Sequence, residues 1–158
     1  AIDNGIACDE NMRTSDPDIF AAGDCASFIH AKLGNRRIRL EAWRSAQEQA
    51  ATAAENMLGG TKQNVAVPWF WSDQYELGLQ IAGMADMGPI TVARQVNPDT
   101  LVLFHLTEDG SLMGASGIGP GNAISRDIKM AEMMMAKGIK PPRNVLADPA
   151  QPLKGLIR

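Results

Sequence analysis

The chain has 158 residues, 45% of them hydrophobic, with 15 Lys and Arg against 18 Asp and Glu and a formal charge of −3. That length supports a core of ordinary domain size, while the charge balance argues against a broad basic field for nucleic acid or an anionic membrane, and no apolar run reaches transmembrane length. The two cysteines, Cys8 and Cys25, lack C-x-x-C spacing, which argues against a disulfide-stapled secreted module and a metal knuckle and makes a reduced, cytoplasmic protein with no metal site the expectation.

At the N-terminus, Ala1 to Gly5 carries neither a start Met nor the charged and apolar regions of a signal peptide, so it is expected to be the interior of a longer chain. Asn4-Gly5 suits a tight turn, and Ile6-Ala-Cys8 is expected to form a strand beside the next one. In Arg13 to Ala26, Thr14, Ser15, Asp16 and Pro17 are turn formers. The apolar run Ile19 to Ala22 predicts a short strand buried on both faces. Gly23 then permits close backbone approach, and Asp24 leaves a carboxylate at the strand's C-terminal end, where ligands bind in open α/β sheets. The residues alone leave two readings, an ordinary Gly-Asp turn or a ligand corner. Both cysteines, Cys8 before this stretch and Cys25 within it, suit small buried hydrophobes.

Residues 26–38 predict a loop or irregular hairpin turning at Gly34-Asn35, with Ile29 and Ile38 flanking it. Lys32, Arg36, Arg37 and Arg39 make the segment basic, as a solvated face or as a docking surface for an acidic partner. Residues 41–58 predict the best helix of the chain, rich in strong helix formers. Its inward face is assigned to Ala42, Ala46, Ala50, Ala53 and Met57, with Gly59-Gly60 as the stop. A boundary is expected in residues 61–68, dividing the chain into 1–62 and 66–158. Trp69 to Tyr75 holds two of three tryptophans and the single tyrosine. Such density marks either a core plug or an aromatic ligand wall.

Residues 77–118 alternate as antiparallel strands do, with runs from Leu77, Ile90, Leu101 and Leu112 and a hairpin turn at Glu108-Asp-Gly110. His105 and His30 lack metal-ligand spacing and are expected to be an ordinary strand and loop histidine. Gly117 to Asn122 lacks both the Walker and the G-x-G-x-x-G patterns and is expected to be a connection, with Asn122 as N-cap. A second helix is expected over 123–137, buried through Ile124, Ile128, Ala131 and Met135 and ended by Gly138. The methionines around it suit adaptable core. The fold class is therefore α/β passing to α+β.

Thr14, six residues on to Ala21, then Ala22-Gly23-Asp24, resembles the second FAD-binding motif of flavoprotein pyridine-nucleotide reductases. With Asn4-Gly5-Ile6, Asp9-Glu10, Arg39-Leu-Glu-Ala-Trp-Arg-Ser-Ala46 and Trp69 to Tyr75, the chain resembles the NAD(P)H-dependent ferredoxin and rubredoxin reductases that feed oxygenases. The resemblance implies the end of a Rossmann-like FAD domain, lacking its G-x-G-x-x-G part, followed by a C-terminal interface domain of antiparallel sheet plus helices. It implies that Gly23, Asp24 and Ala26 face the ribityl and pyrophosphate part of FAD. Glu41 and Trp43 would lie at the start of a helix aimed at the flavin pyrimidine, and Trp71 beside the flavin. No residue is implied as an acid–base catalyst. The nicotinamide site, for NADH or NADPH, would lie outside this chain, as would the FAD adenylate site, so the chain alone is expected to bind FAD weakly. The implied partner is a [2Fe-2S] ferredoxin or rubredoxin. Two alternatives stand beside this reading. One is a cofactor-free α+β module whose sheet mediates homodimerisation or docking. The other is a different flavoprotein, such as a nitrite reductase or an apoptosis-inducing-factor-like oxidase.

Overall fold

The computed structural model describes residues 1–157, in two compact units, 1–66 and 67–158. The first unit builds a three-stranded sheet from β1 (Ile6–Cys8), β2 (Ala26–His30) and β3 (Arg36–Arg39). β1 and β2 run parallel with Ile6 opposite Ala26, and β2 and β3 are antiparallel with Phe28 opposite Ile38. Phe28 and Ile38 are both buried; burying side chains of this size stabilises by about 1.5–3 kcal/mol each. The β2–β3 connection is the expected hairpin, holding one short 3₁₀ turn (Ala31–Leu33) and turning at Gly34 and Asn35 with positive φ at both. Asn4-Gly5 forms a tight turn that bridges Ile2 to Ile6.

Several expectations for this unit change. Ile19 to Ala22 is not a strand: Ile19 is exposed, and only Phe20 makes a single bridge, to Arg13. The strand that pairs with β1 is β2, which starts after the Gly-Asp corner, so Asp24 precedes a strand rather than ending one. The reason is hydrogen bonding. Thr14 N–H donates to the Ile19 carbonyl and Ala21 N–H to the Met12 carbonyl, so this apolar run closes onto its own turn and not onto a neighbouring strand. His30 is the last residue of β2 rather than a loop residue, and it is buried, with Nε2 at 2.9 Å from the Ala66 carbonyl.

The helix of this unit, α1, runs Trp43–Met57. Its buried residues are Ser45, Gln49, Thr52, Ala53 and Asn56, whereas Ala50 is exposed and Met57 is 60% exposed. The inward stripe is thus mainly polar, at spacings of four, three and four residues, and not the alanine face expected. It faces loops, whose backbone groups need partners, where an apolar stripe would leave them unsatisfied. Asn56 shows this: its Nδ2 donates to the Asn11 and Lys62 carbonyls, and its Oδ1 accepts from Lys62 N–H.

The second unit is a five-stranded antiparallel sheet in the order β4-β5-β8-β7-β6. The strands are β4 (Trp69–Gln74), β5 (Leu77–Gly83), β6 (Ile90–Asn97), β7 (Thr100–Leu106) and β8 (Leu112–Pro120). β7 alternates strictly, with Val102, Phe104 and Leu106 buried and their neighbours half-buried. This two-residue period puts one face against α2 (Ser125–Lys137), through Ile128, Ala131 and Met134. Met135, expected on that buried face, is only partly buried and packs at its margin with Met130 and Met133. Asn122 does not cap α2. β8 continues through the glycines to Pro120, Ile124 occupies the N-cap position, and no side chain bonds there. The helix ends at Gly138 as expected.

Beyond α2 lie α3 (Arg143–Ala147) and a final 3₁₀ turn (Leu153–Ile157). Arg94, on β6, is 4% exposed and points to the α2 side of the sheet, where it faces this segment. Its Nε pairs with Asp127 at 2.9 Å, and its two terminal nitrogens donate to the carbonyls of Val145, Leu146, Asp148, Pro149 and Gln151. One guanidinium thus supplies donors to the last carbonyls of α3, which have no acceptor role left within the helix.

Candidate functional site

The corner at Gly23-Asp24 is held by three contacts. Gly23, at φ +84°, donates its N–H to Gln49 Oε1 at 2.7 Å. The Gly23 carbonyl accepts from Ala26 N–H at 2.9 Å and closes the turn into β2. The Asp24 carbonyl accepts from Arg39 Nη1 at 3.1 Å, and the same Arg39 nitrogen pairs with the Glu41 carboxylate. Gly5 packs under this corner; a Cβ there would lie 2.7 Å from the Cys25 carbonyl oxygen. A cavity of about 400 Å³ opens beside it, with Asn4, Gly5, Ile6, Asp24, Cys25 and Arg39 in its wall.

The groups left uncommitted all lie on the outer side of the corner. The Asp24 side chain is exposed and makes no hydrogen bond or ion pair among the described residues. The Asp24 and Cys25 amides likewise have no intrachain acceptor among them. A carboxylate and two amides on one exposed turn can serve a hydroxylated or anionic ligand from both sides of the hydrogen bond.

Glu41 and Trp43 lie where the chain enters α1. The helix starts with Ala42 at its N-cap, with no side-chain cap and no acidic residue in its first turn. Such an end keeps its partial positive charge. Trp43 is 65% exposed at this point. Of the sequence-derived candidates, the structure joins Gly23, Asp24 and Ala26 in one turn and ties Glu41 to it through Arg39. Ala26 is fully buried with its amide engaged, so what it adds is the anchoring of the turn into β2. Trp71 belongs to the second unit, on edge strand β4, 37% exposed and stacked on Trp69 with ring centroids 5.4 Å apart. Trp69, in register with Ala82, packs against that unit's core.

Gln49 and Arg39 are absent from the residues singled out by sequence as cofactor-facing. The signal for Gln49 was present as a polar stripe, Ser45, Gln49, Thr52 and Asn56, through an alanine-rich helix. Arg39 falls in the basic run and opens the string Arg39 to Ala46 that carries the resemblance, but neither assigns it to the cofactor. Among the described residues no group of three or more His, Cys, Asp or Glu could hold a metal ion. Both thiols are free. Cys8 is buried as expected, and desolvation pushes its pKa above the ordinary value. Cys25 departs from expectation: it is exposed at the corner. Alkylation with iodoacetamide at pH 8 is expected to modify Cys25 alone in the folded chain, with Cys8 reacting only after unfolding. Mass spectrometry of tryptic peptides checks this. The sign follows from the thiolate being the reactive form and burial disfavouring it.

A family model described as reductase C-terminal matches residues 69–157. The chain belongs to the reductase C-terminal family. A second model, pyridine nucleotide-disulphide oxidoreductase, matches residues 1–50, the stretch that holds the corner. The chain is 39% identical over 157 residues to the ferredoxin–NAD(+) reductase component of the anthranilate 1,2-dioxygenase system of Burkholderia cepacia, covering 99% of this chain and 37% of that one. It is 36% identical over 160 residues to putidaredoxin reductase of Pseudomonas putida, covering 99% of this chain and 36% of the relative. In structure it is similar to the reductase of the covalent putidaredoxin reductase–putidaredoxin complex, with a TM-score of 0.86, 33% identity, and coverage of 99% of this chain and 36% of that chain. The chain thus spans little more than a third of the length of these relatives. The reductase C-terminal match falls on the second unit, an antiparallel sheet with helices, and the expected fold class holds.

Proposed function

We propose that this chain is the C-terminal portion of an FAD-dependent NAD(P)H:ferredoxin or rubredoxin oxidoreductase that serves an oxygenase. In this reading residues 1–62 close the FAD-binding domain and residues 66–158 form the interface domain. The observation that carries it is the Gly23-Asp24 corner, whose inward groups are all bonded while its carboxylate and two amides remain open. That donor set fits the polyhydroxyl and phosphate portions of FAD. The uncapped start of α1, free of acidic side chains, fits an electron-rich ring edge. The bound FAD would supply the hydride-accepting and one-electron-donating chemistry.

The chain's own residues bind and orient. The Asp24 carboxylate accepts hydroxyl hydrogens, and the Asp24 and Cys25 amides donate. Arg39 pairs with the Glu41 carboxylate and so offsets its charge beside the start of α1. Trp43, at the start of α1, is an exposed aromatic residue of the kind that suits a flat ring, and Trp71, on the second unit, is by itself an aromatic candidate of the same kind. A ferredoxin partner is supported by the names of the relatives, and a reducing compartment such as the cytoplasm by the two free thiols.

The test uses the full-length protein that contains this chain. It is expected to purify yellow, to be bleached by NADH or NADPH in a stopped-flow spectrometer, and to regain colour on addition of an oxidised [2Fe-2S] ferredoxin. A colourless protein that takes up no FAD, or a flavin that ferredoxin cannot reoxidise, would sink the proposal. The 158-residue chain by itself is expected to bind FAD weakly or not at all in a fluorescence titration, since the corner and one helix start grip only part of so large a ligand.

A further inference from the structure

We propose that Gln49 is a positioning residue: a buried amide in α1 that sets the direction of the Asp24 carboxylate by holding the Gly23 backbone. The proposal rests on the flavin reading for what Asp24 holds, but the hydrogen bond itself can be tested without a cofactor. Gln49 is fully buried, in a helix whose propensity would be served better by alanine. Both ends of its amide are committed. Oε1 accepts from Gly23 N–H at 2.7 Å, and Nε2 donates to Ser45 Oγ, itself buried, at 3.0 Å. Gly23 N–H is a donor only, so it selects the amide oxygen and leaves Nε2 to donate to the Ser45 hydroxyl.

Gly23 is at φ +84°, a conformation that glycine visits at little cost but does not hold by itself. A Cβ on Gly23 would make only an ordinary contact, 3.6 Å from Ala46 Cβ, so steric crowding does not fix this corner. The Gln49 bond is therefore the restraint on the Gly23 amide, while Ala26 N–H holds the Gly23 carbonyl and Arg39 the Asp24 carbonyl. Because Gln49 lies on the helix that begins at Trp43, one side chain links the aim of Asp24 to the aim of the α1 N-terminus. A ligand that touches both meets two groups at a fixed separation.

The experiment compares Gln49→Met with Gln49→Glu in the 158-residue chain. Methionine matches the length but does not replace the amide acceptor. A buried glutamic acid is pushed toward its protonated form, whose carbonyl accepts from Gly23 and whose hydroxyl donates to Ser45 as the amide does. Amide exchange at Gly23, read by NMR, is expected to accelerate roughly tenfold in Gln49→Met, as for the loss of one net hydrogen bond. Exchange in Gln49→Glu is expected to stay near the parent rate, approaching it as pH falls. If Gln49→Met leaves Gly23 as protected as the parent, or Gln49→Glu is as fast as Gln49→Met at low pH, the positioning role is overturned. Should Gln49→Met fail to fold, Gln49→Leu serves instead, also without an acceptor for Gly23, and is expected to raise Gly23 exchange by a similar factor; no rise would overturn the role equally. In the full-length flavoprotein, Gln49→Met is then expected to speed FAD release several-fold, with rescue by Gln49→Glu. Faster Gly23 exchange with unchanged FAD release would overturn the positioning role, whereas the flavin role of Asp24 stands or falls separately on Asp24→Ala.

Discussion

Arg94→Met is expected to lower the unfolding free energy of the second unit by about 3–5 kcal/mol, the range for breaking a buried ion pair from one side. The residue is 4% exposed, and its partner Asp127 keeps only 18% side-chain exposure in the pair. Removing the guanidinium leaves that carboxylate with poor solvation and strips donors from five carbonyls between Val145 and Gln151. Methionine fills similar volume, so little of the loss comes from a cavity. The loss would be a large share of an ordinary domain's stability of roughly 5–15 kcal/mol. Urea denaturation followed by tryptophan fluorescence measures it, because Trp69 packs against the core of this unit. Arg94→Lys is expected to recover only a minor part, since one ammonium has three donors and no planar fork with which to reach Asp127 and the α3 carbonyls together. A loss below about 1 kcal/mol, the scale of an exposed pair, would show that α3 and the final turn are held by apolar contacts alone.

The second expected result concerns function without stability. Asp24→Ala in the full-length protein should raise the Kd for FAD by about ten- to a hundredfold, as for one hydrogen bond to a charged group worth roughly 1.5–3 kcal/mol. The 158-residue chain carrying the same change should unfold within about 0.5 kcal/mol of the parent, because the side chain is exposed and makes no bond among the described residues. Asp24→Asn keeps an acceptor and loses the charge, so it should fall between the two. Ultrafiltration of the holoprotein with flavin absorbance gives Kd, and denaturation of the chain gives the control. An unchanged Kd, or a loss of affinity matched by a loss of folding stability, would remove Asp24 from the ligand.

Much of the second unit was legible from residue patterns. Alternation from Leu77 to Gly117 predicts antiparallel strands, and the helix that follows is marked by its three- and four-residue apolar steps and by Gly138. These signals are local, since each depends on which face of one element is apolar. The corner was legible in a different way. Its residues form a recognisable string, but the strand assigned to Ile19 to Ala22 was misplaced. Apolar content there serves a self-closed turn, with Arg13 over the Phe20 ring at 5.1 Å and Ala21 packed inward. Nothing in the run itself distinguishes that from a strand, because the decision lies with β2, which takes the place beside β1.

By itself the sequence determined which residue types are available at the corner, where α1 starts, and that the second unit would be a sheet with helices. Only the tertiary structure decided which residues hold the corner in place. Gly23 meets Gln49 across 26 positions of sequence, and Arg39 reaches Asp24 across 15. Arg94 reaches Gln151 across 57. The polar stripe of α1 marks one end of the first bond, but no partner is marked, because a buried polar side chain is placed by the backbone groups it must satisfy, and those become neighbours only when the chain has folded. The open carboxylate of Asp24 follows from the same rule: its neighbours' inward groups are all satisfied elsewhere, which leaves this one facing out.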